Sequence, residues 1–407
     1  MAYEFRPARY DELDELVELL GLVFNCSQEW FRSIITNDPW RSPDNTRIAL
    51  CGDRIVANVQ VHRRPIHYGR ARLVMGGIGH VATHPDHRKQ GLSTRLLRDA
   101  IGVMERGGYH LSLLYTGINA FYAKLGWRDF PVTYYSIRLP LGRKLGPGTY
   151  EIRHAAIPEG LHAAMPIYHR CADYWVGMLD RTFEYWRANP SWTRDEFITE
   201  DPGASAYAIC DGRPVAYLRG RIANTPPSRC GVDELCWLPG HEDATLDLLD
   251  SFIAAAQASP KESVELPIGE AHPALAALGR VAELQEHVST SAQFRVIDPV
   301  GLLAAAAPEL EKRLLRAGRG RLAPLTVDCE IGAAEVAADG GVTAGPASGE
   351  ADVSLPEEDF ILLVLGQATA EELSARGALA WRGTDRTEDL AALFPKRPYH
   401  YVRYDKF

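Results

Sequence analysis

Residues 80–97, HVATHPDHRKQGLSTRLL, run from one kind of element into another. An apolar, strand-like stretch breaks at Pro85, a basic pair follows at Arg88 and Lys89, and Gly91 stands where a helical pattern begins. Proline cannot donate to a sheet ladder, so the strand must stop there. The first N–H groups of a helix are unpaired and point outward, and the helix dipole adds partial positive charge. Gly91 lets backbone come close to a ligand, while Arg88 and Lys89 supply full charges. Arg88-x-x-Gly91-x-Ser93 therefore reads as an anion cradle at a strand-to-helix junction, which commits this part of the chain to an α/β fold. His80, His84 and His87 are close in sequence and raise a metal site. A Pro-Asp turn separates them and no carboxylate stands at a usual ligand spacing, so no metal is expected.

The flanking pattern agrees. DELDELVELLGLVF places Leu13, Leu16, Val17, Leu20, Val23 and Phe24 on one helical face. The stretch from RIALCGDRIV to VATHP reads as strands joined at Gly52-Asp53 and Tyr68-Gly69. A helix from about Ser93 turns Leu96, Leu97, Ala100, Val103 and Met104 inward and is capped at Gly107-Gly108. YHLSLLYT is a strand, NAFYAKLG a short helix and TYYSIRLP another strand. LGRKLGPGTY (141–150) reads as a linker, so a first domain is expected over 1–145. A second, over 146–298, repeats the helix-and-strand order as a diverged copy. Its helix begins at LPGHEDATLDLL, where acidic residues replace Arg-x-x-Gly and should repel a pyrophosphate. A third, over 299–407, opens with VGLLAAAAPELEKRLLRAG. It continues with two strands around a turn-rich AADGGVTAGPASGEA and ends with helical stretches, giving helices that flank an antiparallel sheet.

Composition narrows the classes of partner. At 407 residues the chain exceeds one ordinary core. A net charge of −9 argues against nucleic acid, which selects basic surfaces. No stretch approaches the roughly 18 apolar residues of a membrane span. The opening MAYEFRPARYDELDEL lacks the apolar core of a signal peptide. The seven cysteines form no C-x-x-C, so neither disulfides nor structural zinc are expected, and a reducing cytoplasm fits.

The cradle resembles the acetyl-CoA motif Arg/Gln-x-x-Gly-x-Gly/Ala of the GNAT superfamily of N-acetyltransferases, with Ser93 in place of the last small residue. GYHLSLLYTGINAFYAKLGWRDF also carries that superfamily's later signature, Tyr-x-x-x-Gly-aromatic, at Tyr122, Gly126 and Trp127. Over its length the chain resembles the Eis (enhanced intracellular survival) family: tandem GNAT-like α/β domains with mixed sheets, then a sterol-carrier-like α+β domain ending in phenylalanine. The resemblance implies acetyl-CoA as co-substrate, held by Val81, Ala82, Thr83, Arg88, Lys89, Gly91, Leu92 and Ser93, with the pantetheine arm added as an extra strand. It implies direct transfer to a primary amine without a protein nucleophile. Tyr122 would be the acid and the α-carboxylate of Phe407 the base, with His80 as a water-linked alternative. The acceptor pocket would form around Phe24, Glu29 and Trp30, near Phe31 and Trp40, with Glu29 or Asp38 as ammonium partner. A homo-oligomer, a hexamer by family analogy, is implied too.

Two departures weaken the likeness to aminoglycoside-modifying members. Lys406 stands where an acidic residue is usual, and Asn25, Cys26 and Ser27 occupy a place where a carboxylate belongs. Both remove negative charge, so a less charged amine metabolite or a lysine side chain becomes a candidate acceptor. A non-catalytic acyl-CoA or lipid-binding regulator is the rival reading, but such a protein has no need of Tyr122. The terminus RPYHYVRYDKF is aromatic and basic, which suits a tail that is tied down.

Overall fold

Gly52 and Gly69 take left-handed φ values of +60° and +56°, which L side chains rarely adopt, and each closes a tight strand connection. In the computed structural model of the chain, these turns join β2 (Thr46–Cys51), β3 (Arg54–Tyr68) and β4 (Ala71–Thr83) into an antiparallel ribbon. The structure describes residues 2–154, 157–188, 205–222, 230–258, 261–266, 268–269, 272–401, 405 and 407. Before the ribbon come β1 (Glu4–Pro7), α1 (Leu13–Phe24) and α2 (Gln28–Thr36); after it come α3 (Leu92–Arg106), β5 (Leu111–Tyr115), α4 (Asn119–Ala123) and β6 (Arg128–Asp129). Leu16, Val17, Leu19 and Leu20 of α1 are buried, whereas Phe24, placed on the same face by the sequence pattern, is 45% exposed. On α3 the buried residues are Leu92, Leu96, Leu97, Ala100 and Met104. The helix stops where Gly108 turns left-handed at φ +67°.

The chain falls into two compact units: residues 1–130, 290–396 and 407, and residues 131–289 and 397–406. The boundaries expected at 145/146 and 298/299 do not coincide with these, because strands change sheets. β7 (Val132–Arg138) belongs to the second sheet, while β15 (Ala292–Val296) inserts between β5 and β6 of the first, whose order is β1-β2-β3-β4-β5-β15-β6.

In the second unit β7 is followed by β8 (Glu151–His154), α5 (Ile157–Ala172), β9 (Val176–Leu179), α6 (Phe183–Ala188), β10 (Ser205–Cys210), β11 (Arg213–Ile222) and β12 (Cys230–Trp237). Then come α7 (Ala244–Ala258), β13 (Ser263–Leu266), α8 (Pro273–Val281) and β14 (Leu284–Ser289). The sheet order is β14-β7-β13-β12-β11-β10-β8. Its core contains Tyr168, Trp186, Tyr217 and Phe252. Among them lies the buried guanidinium of Arg181, paired with Glu234 at 2.9 Å and Asp405 at 2.8 Å. Two carboxylates and the faces of Tyr168 and Trp186 replace the water this cation gave up.

The C-terminal segment belongs with the first unit. It comprises α9 (Pro299–Arg316), β16 (Arg321–Asp328), β17 (Ala333–Asp339), β18 (Val342–Pro346), β19 (Val353–Ser354), α10 (Glu357–Val364), α11 (Ala370–Ala375), β20 (Ala380–Trp381) and α12 (Thr387–Leu393). Buried Glu309 of α9 accepts from the backbone N–H of Arg70 at 3.0 Å and from Arg313 at 3.2 Å, and Arg313 donates to the Tyr68 hydroxyl at 2.8 Å. These bonds tie the tip of the β3–β4 hairpin to the segment. The sheet order is β18-β17-β16-β19-β20, with β16 and β19 parallel rather than antiparallel. AADGGVTAGPASGEA, expected as a turn between strands, is largely strand itself. Gly340, at φ +78°, confines the reversal between β17 and β18 to two residues. Among the described residues, no helix is long and apolar enough to cross a membrane.

Candidate active site

The site begins with a fault in β4. Asn58 pairs with Ala82 and Gln60 with Gly79, so β4 carries an extra residue against β3. His80 absorbs that bulge at φ +51°, held by a hydrogen bond from the Asn58 amide to its carbonyl at 2.8 Å. A bulge bends its strand. On the other side β5 pairs with β4 only across Met75–Gly77, so the later part of β4 leaves β5 behind. The His84 N–H donates to Val56 at 2.8 Å, and strand alternation therefore turns the peptide of Thr83, and that of Val81 two residues earlier, to the open edge. Ala82 faces inward and is buried.

That edge runs into the start of α3. Lys89 at φ +63° and Gly91 at φ +73° curl the loop, a backbone form that makes anion-binding concavities. Gly91 caps the helix without any side-chain hydrogen bond, and no acidic residue stands in the first turn. A Cβ added at Gly91 would meet nothing within 4 Å, so the space over the helix start is open. Arg88 and Lys89 are exposed beside it, Leu92 is buried, and the hydroxyls of Thr83 and Ser93 lie 2.8 Å apart, tying strand end to helix start. The residues expected to hold a cofactor are thus contiguous. Of the three histidines, His84 and His87 lie edge-on with centroids 5.7 Å apart, the His84 ring accepting from the Asp86 N–H at 3.3 Å, whereas His80 turns to Gln60.

Tyr122 lies on α4 and is 8% exposed, edge-on to Phe121 and Trp127. Among the described residues its hydroxyl has no hydrogen-bond partner, and it is not one of the buried unpartnered polar atoms, so it is open to a ligand. Burial pushes its pKa up, so at neutral pH the phenol keeps its proton.

Phe407 lies on β4. A Cβ at Gly77 would collide with its ring, and one at Gly79 would lie 3.0 Å from His62 Nε2 and 3.2 Å from the Phe407 carboxyl carbon. Two glycines in a strand therefore make the seat for the terminal residue. The ring stacks on His62 at 5.5 Å and faces Tyr115 at 6.1 Å. The penultimate Lys406 lies outside the described residues.

The opposing wall comes from β3, where Asn58, Gln60, His62 and Arg64 alternate on one face and all are buried. The His80 ring, 2.8 Å from Gln60 Oε1, has a pKa held well below the ordinary imidazole value, first by burial and then by nearby His62 and Arg64. His62 is lowered too, by burial, against the pull of Asp38. Asp38, read from the sequence as an ammonium partner, is instead engaged internally. Its side chain is 5% exposed, 2.8 Å from Arg64 and 3.5 Å from His62. Burial pushes its pKa up, but Arg64 and His62 more than offset this and hold it well below the carboxylate range. Of the expected acceptor residues, half-buried Trp30 and exposed Phe24 pack on Phe31 at 5.0 and 5.7 Å, and Phe31 meets His80 at 5.3 Å. Glu29 is exposed beside Arg32. Asn25, at φ +52°, ends α1, and the Ser27 hydroxyl caps α2 by accepting from Trp30 N–H at 3.3 Å, so both have structural duties.

A bulged strand thus splays from its parallel neighbour and runs into an anion cradle at a helix start. The profile of the family described as acetyltransferase (GNAT) domain matches residues 4–129. The whole chain has the fold of the longer, Eis-like proteins. It is similar to a GCN5-related N-acetyltransferase from Anabaena variabilis (TM-score 0.74, 15% identity, 100% of both chains). It is also similar to a GCN5-related N-acetyltransferase from Kribbella flavida (0.71, 18%, 100% of this chain and 98% of that one). A third similar structure is Eis1 from Mycobacterium abscessus (0.68, 18%, 100% of both). No curated protein sequence matches the chain.

Proposed function

We propose that the protein is an acetyl-CoA-dependent N-acetyltransferase acting on a primary amine of a small molecule. The observation that carries this reading is the open edge of β4 running directly into the uncapped, acid-free start of α3. An extended pantetheine arm could pair with the Val81 and Thr83 backbone while the pyrophosphate meets the Gly91 loop, Arg88 and Lys89. The ammonium gives one proton to the Phe407 carboxylate, and the free amine attacks the thioester carbonyl. As the C–S bond breaks, Tyr122 protonates the departing thiolate, and the second proton released by the adduct nitrogen restores the Tyr122 phenol, leaving an amide. No protein nucleophile enters. The unengaged Tyr122 hydroxyl favours an enzyme over a non-catalytic acyl-CoA binder.

The test is release of free thiol from acetyl-CoA across a panel of amines, with Tyr122→Phe in parallel. Turnover should appear with at least one amine, and kcat in the variant should fall by roughly 10²-fold while acetyl-CoA affinity stays put. Near-parental turnover would return Tyr122 to a packing role.

A further inference from the structure

We infer that Gln293 and Arg295 of β15 are positioning residues for the proton donor: between them they hold α4 at its two ends and set where the Tyr122 hydroxyl stands. This rests on the acetyltransferase reading above and adds to it the residues that aim its acid.

At five residues, Asn119–Ala123, α4 is far too short to be a stable helix by itself, so contacts from outside must fix it. Gln293 and Arg295 stand two apart on β15, and their side chains leave the same face of the sheet. The Gln293 amide donates to the Asn119 carbonyl at 3.4 Å and to Asp129 Oδ1 at 2.8 Å. That carboxylate also accepts from the Asn119 amide at 2.6 Å. At the other end of the helix Arg295 Nη1 donates to the Leu125 carbonyl at 2.7 Å. The N–H groups of Leu125 and Trp127 both donate to the Tyr122 carbonyl, at 2.9 and 3.3 Å. The segment that Arg295 grips is thus bonded directly to the tyrosine.

Two further observations single out Arg295. A Cβ at Gly126, φ +93°, would collide with its Nη1, so the glycine of the Tyr-x-x-x-Gly-aromatic pattern leaves the gap through which the guanidinium reaches α4. The same guanidinium lies 5.9 Å from the centre of the Trp127 ring. That ring is edge-on to Tyr122 with centroids 6.3 Å apart. Its Nε1 donates to the Ser112 hydroxyl at 3.2 Å, and Ser112 donates to the Gly76 carbonyl at 2.8 Å. Ser112 is the cross-strand partner of Arg295, and Gly76 lies in the short stretch where β4 and β5 still pair. Tyr122 is located in this way against the point where the two strands part. β15 is itself held, since the Val296 N–H donates to buried Glu357 of α10 at 2.8 Å. The helix that carries the acid is aimed from 170 residues further along the chain.

The experiment follows thiol release from acetyl-CoA by the full-length protein, with the best acceptor of the amine panel, in Arg295→Met, Arg295→Lys, Tyr122→Phe and the double variant Tyr122→Phe/Arg295→Met. Misplacing a catalytic group by about 1 Å can cost roughly 10²-fold in rate. Arg295→Met keeps the length and loses every donor, so kcat should fall at least tenfold, with acetyl-CoA affinity by calorimetry unchanged. Arg295→Lys, which still brings a donor toward the Leu125 carbonyl, should recover most of the loss. In the Tyr122→Phe background Arg295→Met should cost no more than about twofold further, because no hydroxyl is left to aim. Parental kcat in Arg295→Met, losses that multiply in the double variant, or a loss confined to acetyl-CoA KM would each overturn the inference while leaving the acetyltransferase reading intact. Where Arg295→Met does not fold, Gln293→Leu enters the same cycle: a loss that vanishes beside Tyr122→Phe supports the inference, and one that multiplies overturns it. A parent that releases no thiol with any amine sinks the acetyltransferase reading and this inference with it.

Discussion

Two helices of this chain begin after a strand and a left-handed glycine, and they have opposite fates. At Gly91 the start of α3 is left open: no side chain caps it, no acid stands in its first turn, and an added Cβ would meet empty space. At Gly240, φ +86°, the corresponding approach to α7 is closed by its own residues. Glu242 accepts from the Gly240 N–H at 3.2 Å. Asp247 accepts from the N–H groups of Gly148 at 2.8 Å and Tyr150 at 3.1 Å, and Asp250 from Leu145 at 2.9 Å. Residues 141–150, which read as a free linker, are in part fastened over that helix. The contrast is between an open helix start and a closed one. Carboxylates that accept backbone N–H groups around a helix start make it a structural joint.

If the open start serves the working site, the group seated on the same strand must matter. A C-terminal Gly-Ser extension keeps the Phe407 ring and displaces its carboxylate, so kcat should fall by about 10²-fold, a typical contribution of a positioned base. Acetyl-CoA affinity should be unchanged. Measured thiol release at the parental rate would reduce Phe407 to a plug in the Gly77–Gly79 seat.

A smaller effect separates the buried histidines of the two units. In the second unit His272 caps α8, accepting from the Ala274 N–H at 3.1 Å, and burial, with help from His400, pushes its pKa down to about 3. The unfolded chain takes up a proton near pH 6.5 that the native state refuses, so this stability is full above about pH 6.5 and is lost as pH falls toward 3. His272→Asn keeps a capping acceptor without the titration. Its melting temperature should fall less steeply than the parent's between pH 6.5 and pH 4, with a residual slope from His62 and His80, which are depressed in the same direction. An unaltered slope would place the acid sensitivity in the first unit.

What the sequence made legible was local. The cradle, the Gly52 and Gly69 turns and Tyr122 each announce themselves within a few residues, because their chemistry is a matter of short spacing. The exchange of β7 and β15 between sheets was not legible, since strand pairing between residues 111–115 and 292–296 leaves no local mark. The seat of Phe407 and the β3 wall left marks that only a partner explains. MGGIGH puts Gly77 and Gly79 inside a strand, a sign of close approach by another chain segment. Asn58, Gln60, His62 and Arg64 alternate through an otherwise apolar strand, which marks a buried polar face. Asp38 was misassigned as a substrate partner because its pairing with Arg64 joins a loop to a strand 26 residues away.

The central claim is that one helix start of the two holds the cofactor, and acetyl-CoA calorimetry with Gly91→Glu and Gly240→Glu tests it most directly. The parent should bind one acetyl-CoA per chain. Gly91→Glu, which adds bulk, strain at a left-handed φ and a like charge, should weaken binding at least tenfold, about 1.4 kcal/mol, and Gly240→Glu should bind as the parent does. Two molecules per chain in the parent, or unchanged affinity in a folded Gly91→Glu, would contradict the account.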